Sequence, residues 1–254
     1  MMLSIRKLCK IFVGGGVMAM CMLSGALLSS FRESDSLLEN AAPVVRITLP
    51  AAHAKFQWNT TVNYTVSVSD KEDGSSEYDE IAPHEVLLQV LFLPDSTQLQ
   101  AYRSARSKTE PEPDALLVMT TLPCFNCHTA NDKLIGPSFQ TLAAKYPYSA
   151  ATEEALSKKI IGGSLGTWGN IPMPPHPDVP VEQAREIARW ILKSNKDVDH
   201  FYLTGLAGAF KTKLKPEKDA SKGVYLLRAS YTDHGTKDNP QLRKRGQHTL
   251  VLRN

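Results

Sequence analysis

The sequence predicts a multidomain chain with an all-β sandwich, then an all-α segment, then a short β-rich C-terminal extension. Three patterns support this order: strand-like alternation before residue 103, helical periodicity within 114–197, and further strand-like runs after residue 203. The 254-residue length leaves room for more than one domain, because single domains commonly hold about 100 to 150 residues.

The predicted sandwich spans residues 41–103. One strand alternates apolar and polar residues, as expected when one face is buried, with apolar positions at Val62, Tyr64, Val66 and Val68. Val44 to Leu49 and Glu85 to Leu93 are further strand candidates, and Asp73-Gly74 marks a turn. Three or more short strands separated by turn signals are typical of a small sandwich.

A polar, proline-containing linker at 104–113 precedes the predicted all-α segment at 114–197. Its first helix has an apolar face of Ala115, Val118, Met119 and Leu122, and its last one of Ala184, Ile187, Ala188 and Ile191. Gly162-Gly163 is expected to end a helix between them.

The extension at 203–254 is the basic part of the chain, because residues 204–254 hold 11 Lys or Arg against 4 Asp or Glu. Two strands are predicted, at 223–235 and 249–253, and they need a third strand or a neighbour because two strands alone are marginally stable. Arg243-Lys244-Arg245 is either a docking patch for an acidic partner or a charged edge that discourages aggregation. The aromatic interleaving expected of nucleic-acid binding is missing from this sequence.

Cys124-Phe125-Asn126-Cys127-His128 has the spacing for covalent attachment of a c-type haem. Each thiol can add across a haem vinyl group, and the adjacent histidine then becomes the proximal iron ligand. A thioredoxin-like couple would need a strand and helix pattern that is not seen around the motif. A zinc site would need more ligands, and the other cysteines are Cys9 and Cys21 near the N-terminus.

A haem iron that only carries electrons needs a second protein ligand. Met173 lies between Pro172 and Pro174, which restrict the backbone and favour a stiff loop that presents the thioether. His176 is the rival distal ligand. The loop geometry favours Met173.

The region from about Asp114 to Asn195 resembles the small bacterial class I cytochromes c. The resemblance rests on four motifs in order, namely the haem motif, Lys133-Leu134-Ile135-Gly136-Pro137-Ser138-Phe139, Trp168-Gly169-Asn170-Ile171-Pro172-Met173-Pro174-Pro175 and Trp190-Ile191-Leu192. It implies one covalent haem c with its iron held by His128 and Met173. It also implies that the Pro137 carbonyl accepts a hydrogen bond from His128, and that Trp168 borders the haem near a propionate.

The run from Val66 to Gly74 resembles the PKD-like immunoglobulin-type modules found beside haem domains in some exported bacterial dehydrogenases. The C-terminal extension resembles the tail of the same multidomain proteins, which implies a quinoprotein sugar dehydrogenase as a candidate electron donor. Four acidic residues near this run could bind calcium, although a solvated turn is the favoured interpretation: Asp70, Glu72, Asp73 and Glu80.

Residues 1–31 are expected to be an export signal peptide, with an uncleaved N-terminal anchor as the alternative. Arg6, Lys7 and Lys10 are followed by an uncharged run from Ile11 to Phe31. Export fits the haem motif, and we expect a periplasmic location with membrane association only through residues 11–31.

The leading hypothesis is therefore a periplasmic electron carrier rather than a catalyst in its own right. Two protein ligands leave iron without an open position, which favours one-electron transfer through small, transient contacts with redox partners. An alternative is an envelope carbohydrate- or protein-binding module with a haem redox sensor, in which Trp58, Tyr78, Tyr225 and Tyr231 line the surface. A small peroxidase with a labile Met173 is a third hypothesis.

Overall fold

The computed structural model describes residues 39–105, 113–217 and 222–254. The predicted signal or anchor at 1–31, with Cys9 and Cys21, and residues 106–112 of the predicted linker lie outside these ranges. Within them, the longest apolar helices fall short of the length and hydropathy required to cross a membrane.

Within these described ranges, eight strands form two four-stranded sheets. The first sheet contains β1 (Val44–Leu49), β2 (Thr61–Asp70), β3 (Gly74–Ser75) and β6 (Ala207–Lys211). The second has the order β5 (His200–Thr204), β4 (Leu87–Leu93), β7 (Val224–Thr232) and β8 (Arg245–Arg253). Both sheets contribute to one apolar core, in which Val66 and Val68 of the first sheet meet Leu88, Val90 and Tyr225 of the second. We call these strands and their shared core the β unit.

The alternation predicted for β2 is confirmed, because Tyr64, Val66 and Val68 are buried whereas Asn63 and Ser67 are exposed. β4 behaves differently, since all seven of its residues are buried. One face of β4 packs in the core of the β unit, and the other is covered by α1 (Gln98–Ala105) and by the helical region that follows. A strand covered on both faces has no polar side to alternate with.

The strands after residue 203 share sheets with those before residue 94. β6 pairs with β2 from Thr61↔Lys211 to Thr65↔Ala207. The whole length of β4 pairs with β7. These pairings supply the partners that the C-terminal strands require. The sequence predicts separate units at 41–103 and 203–254, whereas strands of the two ranges are hydrogen-bonded to each other. The domain boundaries themselves stay a prediction.

The helical region lies between two strands that are paired with each other. β4 runs into α1, and β5 follows the last helix, yet Leu87↔Thr204 to Leu91↔His200 are antiparallel partners. Leu87 and Tyr202 also join the core of the helical region, where the Tyr202 ring lies 6.1 Å from that of Trp190. The helical segment therefore leaves and re-enters the β unit through two paired strands, and its Ala130 is also buried in the core of the β unit.

Four helices build that segment: α2 (Asp114–Thr121), α3 (Phe139–Lys145), α4 (Ala150–Gly162) and α5 (Val181–Ser194). Ser138 and Ser149 cap α3 and α4 by accepting backbone N–H groups, and α4 ends at Gly162 as expected. Met119 of α2 and Trp190 of α5 share one buried core. Isolated backbone bridges join His128 to Lys133 and Ser164 to Met173, so an all-α description omits these contacts.

In the acidic turn considered for calcium, one carboxylate oxygen each of Asp70, Asp73 and Glu80 accepts internal hydrogen bonds. Asp70 accepts from the backbone of Glu72 and Asp73, and Glu80 accepts from the Ser75 amide at 2.8 Å. Asp73 accepts from the Tyr231 hydroxyl at 2.7 Å. Across the described ranges, no group of three His, Cys, Asp or Glu side chains is arranged to hold a metal ion.

The three basic side chains around the start of β8 also form hydrogen bonds within the protein. Arg243 Nε donates to the Asp233 carbonyl at 2.6 Å, Lys244 Nζ donates to the Asn40 carbonyl, and Arg245 donates to Gln247 at 2.7 Å. These contacts favour a structural role for the three side chains.

His234 links two carboxylates across the β unit, which gives the fold a pH dependence. Its Nδ1 lies 3.0 Å from Asp73 and its Nε2 lies 3.0 Å from Glu85. Burial alone would lower the pKa of His234, but the hydrogen bonds and attraction to Glu85 and Asp73 outweigh burial and raise it. Its contribution should be complete below the unfolded pKa of about 6.5 and lost as pH rises through the higher folded value.

His234→Gln should therefore destabilise the protein more at about pH 5.5 than at about pH 9, measured as the shift in urea midpoint. His53→Gln, at an exposed histidine outside ion-pair distance of any described carboxylate, is the control. An equal loss of stability by His234→Gln at both pH values would contradict this account.

Candidate functional site

A cleft of about 370 Å³ opens in the helical segment. All six residues singled out from the sequence line it: Cys124, Cys127, His128, Pro137, Trp168 and Met173. Its inner walls are apolar and include Met119, Phe139, Leu142, Leu156, Ile160, Ile187 and Ile191. Lys133 and Lys159 reach the cleft, whereas carboxylates are missing from its described lining.

The two cysteines lie at a single 3-10 turn, Pro123–Asn126, that follows α2. The amides of Cys127 and His128 both donate to the Cys124 carbonyl, at 3.2 and 2.9 Å. Both thiols are free, and burial raises the pKa of Cys124 to about 11. A thioredoxin-like couple needs a lowered thiol pKa, so this environment disfavours that alternative.

The His128 ring is held in a defined orientation. Its Nδ1 lies 2.7 Å from the Pro137 carbonyl, and its ring stacks on Phe139 with centroids 5.6 Å apart. Since a carbonyl only accepts, Nδ1 carries the hydrogen and Nε2 keeps its lone pair. Burial lowers the pKa of His128, and the hydrogen bond to Pro137 opposes this effect in part. The lowered pKa favours the neutral imidazole that a metal ion requires.

Gly136 contributes to this arrangement, a role that the sequence motif containing it did not reveal. A Cβ at this position would lie 2.5 Å from His128 Cε1 and 2.8 Å from Nδ1. The Gly136 amide also donates to the Cys127 carbonyl at 2.9 Å. The one available signal was a glycine directly before the proline that accepts from His128.

Met173 and its rival His176 both reach the cleft. Met173 is half-buried, and its backbone forms two hydrogen bonds with Ser164, at 2.8 and 3.1 Å. The His176 amide donates to the carbonyls of Ile160 and Ile161 at the end of α4. The structure thus brings both candidate distal ligands to one wall, and the choice of Met173 stays a prediction.

Trp168 is half-buried at the mouth of the cleft rather than in the core. Lys145 Nζ lies 4.3 Å from the centre of its ring, and the ring packs edge-on against Tyr146 at 6.3 Å. The cation over the aromatic face stabilises the position of the indole. Its expected contact with a haem propionate stays a prediction.

The residues fit a covalently attached haem. Two free thiols, a neutral imidazole with an available Nε2 and a thioether meet in one open, apolar cleft. Imidazole nitrogen and thioether sulfur are an established donor pair for haem iron. Apolar walls suit a flat macrocycle, and the two lysines suit its acidic substituents.

Comparison with known proteins identifies this segment. Residues 117–195 match the family model described as Cytochrome c. Cytochrome c-551 of Azotobacter vinelandii is 44% identical over 72 residues, covering 28% of this chain and 87% of that protein. Cytochrome c-551 of Allochromatium vinosum is 38% identical over 69 residues, covering 27% of this chain and 73% of the relative.

Among solved structures, wild-type Nitrosomonas europaea cytochrome c552 is 38% identical to the chain, with a TM-score of 0.29. The match covers 32% of this chain and 98% of that structure. The family assignment rests on the sequence relatives.

Gly136→Ala should displace the His128 ring, because the added methyl group would overlap it. We expect weakened proximal ligation, seen as a mixture of high-spin and low-spin absorption in the oxidised haem protein. Gly162→Ala is the matched control, since a Cβ there meets nothing within 4 Å. Wild-type spectra from Gly136→Ala would show that this close approach does not hold His128.

Proposed function

Because this chain belongs to the cytochrome c family through residues 117–195, we propose that it is an exported carrier of single electrons. Family membership implies one covalently bound haem c with its iron, and the chemistry that this group supplies when bound is electron transfer. The proposed donor is a periplasmic dehydrogenase and the proposed acceptor is a respiratory protein.

One observation carries the proposal: an imidazole and a thioether line the same cleft as the two attachment thiols. His128 would hold the iron through Nε2, with Pro137 fixing its tautomer. Met173 would supply a second ligand, with Ser164 fixing its backbone. Two protein ligands leave no open coordination position, which supports one-electron transfer without bond formation to a substrate.

The rim of the cleft supports short-lived docking. Four large apolar side chains that line it are exposed, by 55% for Leu134, 47% for Ile135, 67% for Leu165 and 67% for Ile171. An apolar patch beside the cofactor allows close approach, and its small size suits the brief encounters of redox partners.

We propose that the β unit is a PKD-like, immunoglobulin-type module that positions the helical segment. Two sheets around a shared core support this identity. The helical segment packs on the β unit through Leu87 and Tyr202, and through Ala130 in the core of the β unit, while the apolar rim of the cleft stays exposed. A quinoprotein sugar dehydrogenase is the proposed donor, on the sequence resemblance alone.

The carbohydrate-binding alternative loses support from the burial of its proposed surface. Tyr225 and Tyr231 are 2% and 1% exposed, and Trp58 packs edge-on against Phe56 and Phe92. Of the four aromatic residues only Tyr78 is well exposed, at 72%. The peroxidase alternative needs a labile Met173, whereas both backbone groups of Met173 are hydrogen-bonded to Ser164.

Met173→Ala should retain the haem through Cys124 and Cys127 but lower its midpoint potential by about 0.1 V or more. A thioether ligand raises haem potentials, and axial ligands tune them over roughly 0.8 V. Potentiometric titration followed by visible absorption measures the change, and the wild-type protein should give a single one-electron transition.

His176→Ala is the matched comparison, since it removes the rival donor from the same loop. We expect its potential to stay close to that of the wild-type protein. A changed potential with His176→Ala and an unchanged one with Met173→Ala would reverse the assignment of the distal ligand.

A further inference from the structure

Gly163 lies where α4 ends and the loop that carries Met173 begins. Its φ is +78°, in the region that favours glycine, and a Cβ there would lie 2.8 Å from the Met173 carbonyl oxygen. The same Cβ would lie 3.2 Å from the Pro175 nitrogen. The position therefore excludes a side chain both through its backbone conformation and through lack of space.

The close approach allows the backbone pairing that anchors the loop. Ser164 N donates to the Met173 carbonyl at 3.1 Å, and Met173 N donates to the Ser164 carbonyl at 2.8 Å. Pro172, Pro174 and Pro175 have no N–H, so Met173 supplies the one main-chain donor of residues 172–175. If this pairing is lost, residues 172–175 have no second main-chain donor to hold the loop in place.

The backbone of His176 is hydrogen-bonded to the same end of α4 by a separate contact. Its amide donates to the carbonyls of Ile160 and Ile161 at 3.1 and 3.0 Å, and its side chain also lines the cleft. Two side chains that could bind iron thus reach one cleft from one loop. The Ser164 pairing acts on the backbone of Met173 and not on that of His176.

We propose that Gly163 is a positioning residue that selects Met173 over His176 as the distal ligand of the iron. The proposal rests on the proposed ligation by His128 and Met173. Because Gly163 has no side chain, Ser164 can hold the Met173 backbone against the end of α4. The Met173 side chain therefore extends from a fixed backbone position. A methyl group at Gly163 would push the Met173 carbonyl away and release the thioether from this anchor.

The test compares three glycine substitutions in the haem-loaded protein. Gly163→Ala adds both the backbone strain and the contact with Met173. Gly166→Ala, in the lining of the same cleft, adds strain without the contact with Met173, because its φ is +86° and a Cβ there meets no protein atom within 4 Å. Gly162→Ala adds neither, since its φ is not left-handed and its surroundings are open.

The readout is the weak far-red absorption band that marks a thioether bound to oxidised haem iron. We expect Gly163→Ala to lose most of this band and the two control variants to keep it. On a His176→Ala background, which removes the competing imidazole, Gly163→Ala should bind added imidazole at least about tenfold more tightly than His176→Ala alone.

Unchanged far-red absorption and imidazole affinity in Gly163→Ala would overturn the proposal, as would an equal loss of the band in Gly166→Ala. A wild-type protein without the band would overturn the proposed ligation itself and the proposal with it. Ser164→Pro provides a second variant if Gly163→Ala does not accumulate. It removes the N–H that donates to Met173 without adding an atom at Gly163, and it should also lose the band.

Discussion

The hydrogen bond between His128 Nδ1 and the Pro137 carbonyl, 2.7 Å long, is the interaction on which the site depends. It fixes the ring tautomer and leaves Nε2 free beside the two attachment thiols. The bond is possible because Gly136 has no side chain to occupy the space of the ring. Gly163 has the same relation to the Met173 carbonyl, which a Cβ there would approach to 2.8 Å. Each candidate ligand is therefore held by a backbone group, and each backbone group approaches closely only because a glycine is present.

The pairing of β4 with β5 explains how this site is attached to the β unit. The chain leaves the sheet after β4, forms the helical segment and returns as a strand hydrogen-bonded to the one it left. Tyr202 of β5 packs against Trp190, which in turn packs against Phe139 beside His128. The helical segment is thus supported from behind its core, while the cleft keeps an exposed apolar rim. Such an arrangement suits a carrier, because the β unit leaves this rim accessible to partners.

Local patterns predicted much of this architecture, and long-range contacts account for the rest. The haem motif, the alternation of β2 and the end of α4 at Gly162-Gly163 each depend on neighbours in sequence, so they could be identified from it. The pairing of β2 with β6 joins Thr61 to Lys211, and no local period encodes a partner so far along the chain. β4 lacks alternation because it is buried on both faces. The roles of Gly136 and Gly163 depend on distances to the His128 ring and the Met173 carbonyl, which sequence does not contain. The His234 link between Asp73 and Glu85 was missed for the same reason.

The proposed protein ligands of the iron are the His128 imidazole and the Met173 thioether. X-ray absorption at the iron edge of the purified haem protein measures the bound atoms themselves, in both oxidation states. Ligation by His128 and Met173 predicts a single sulfur atom bound to iron, with nitrogen atoms as its other neighbours, before and after reduction. A coordination sphere made of nitrogen alone would contradict it and indicate His176 as the distal ligand.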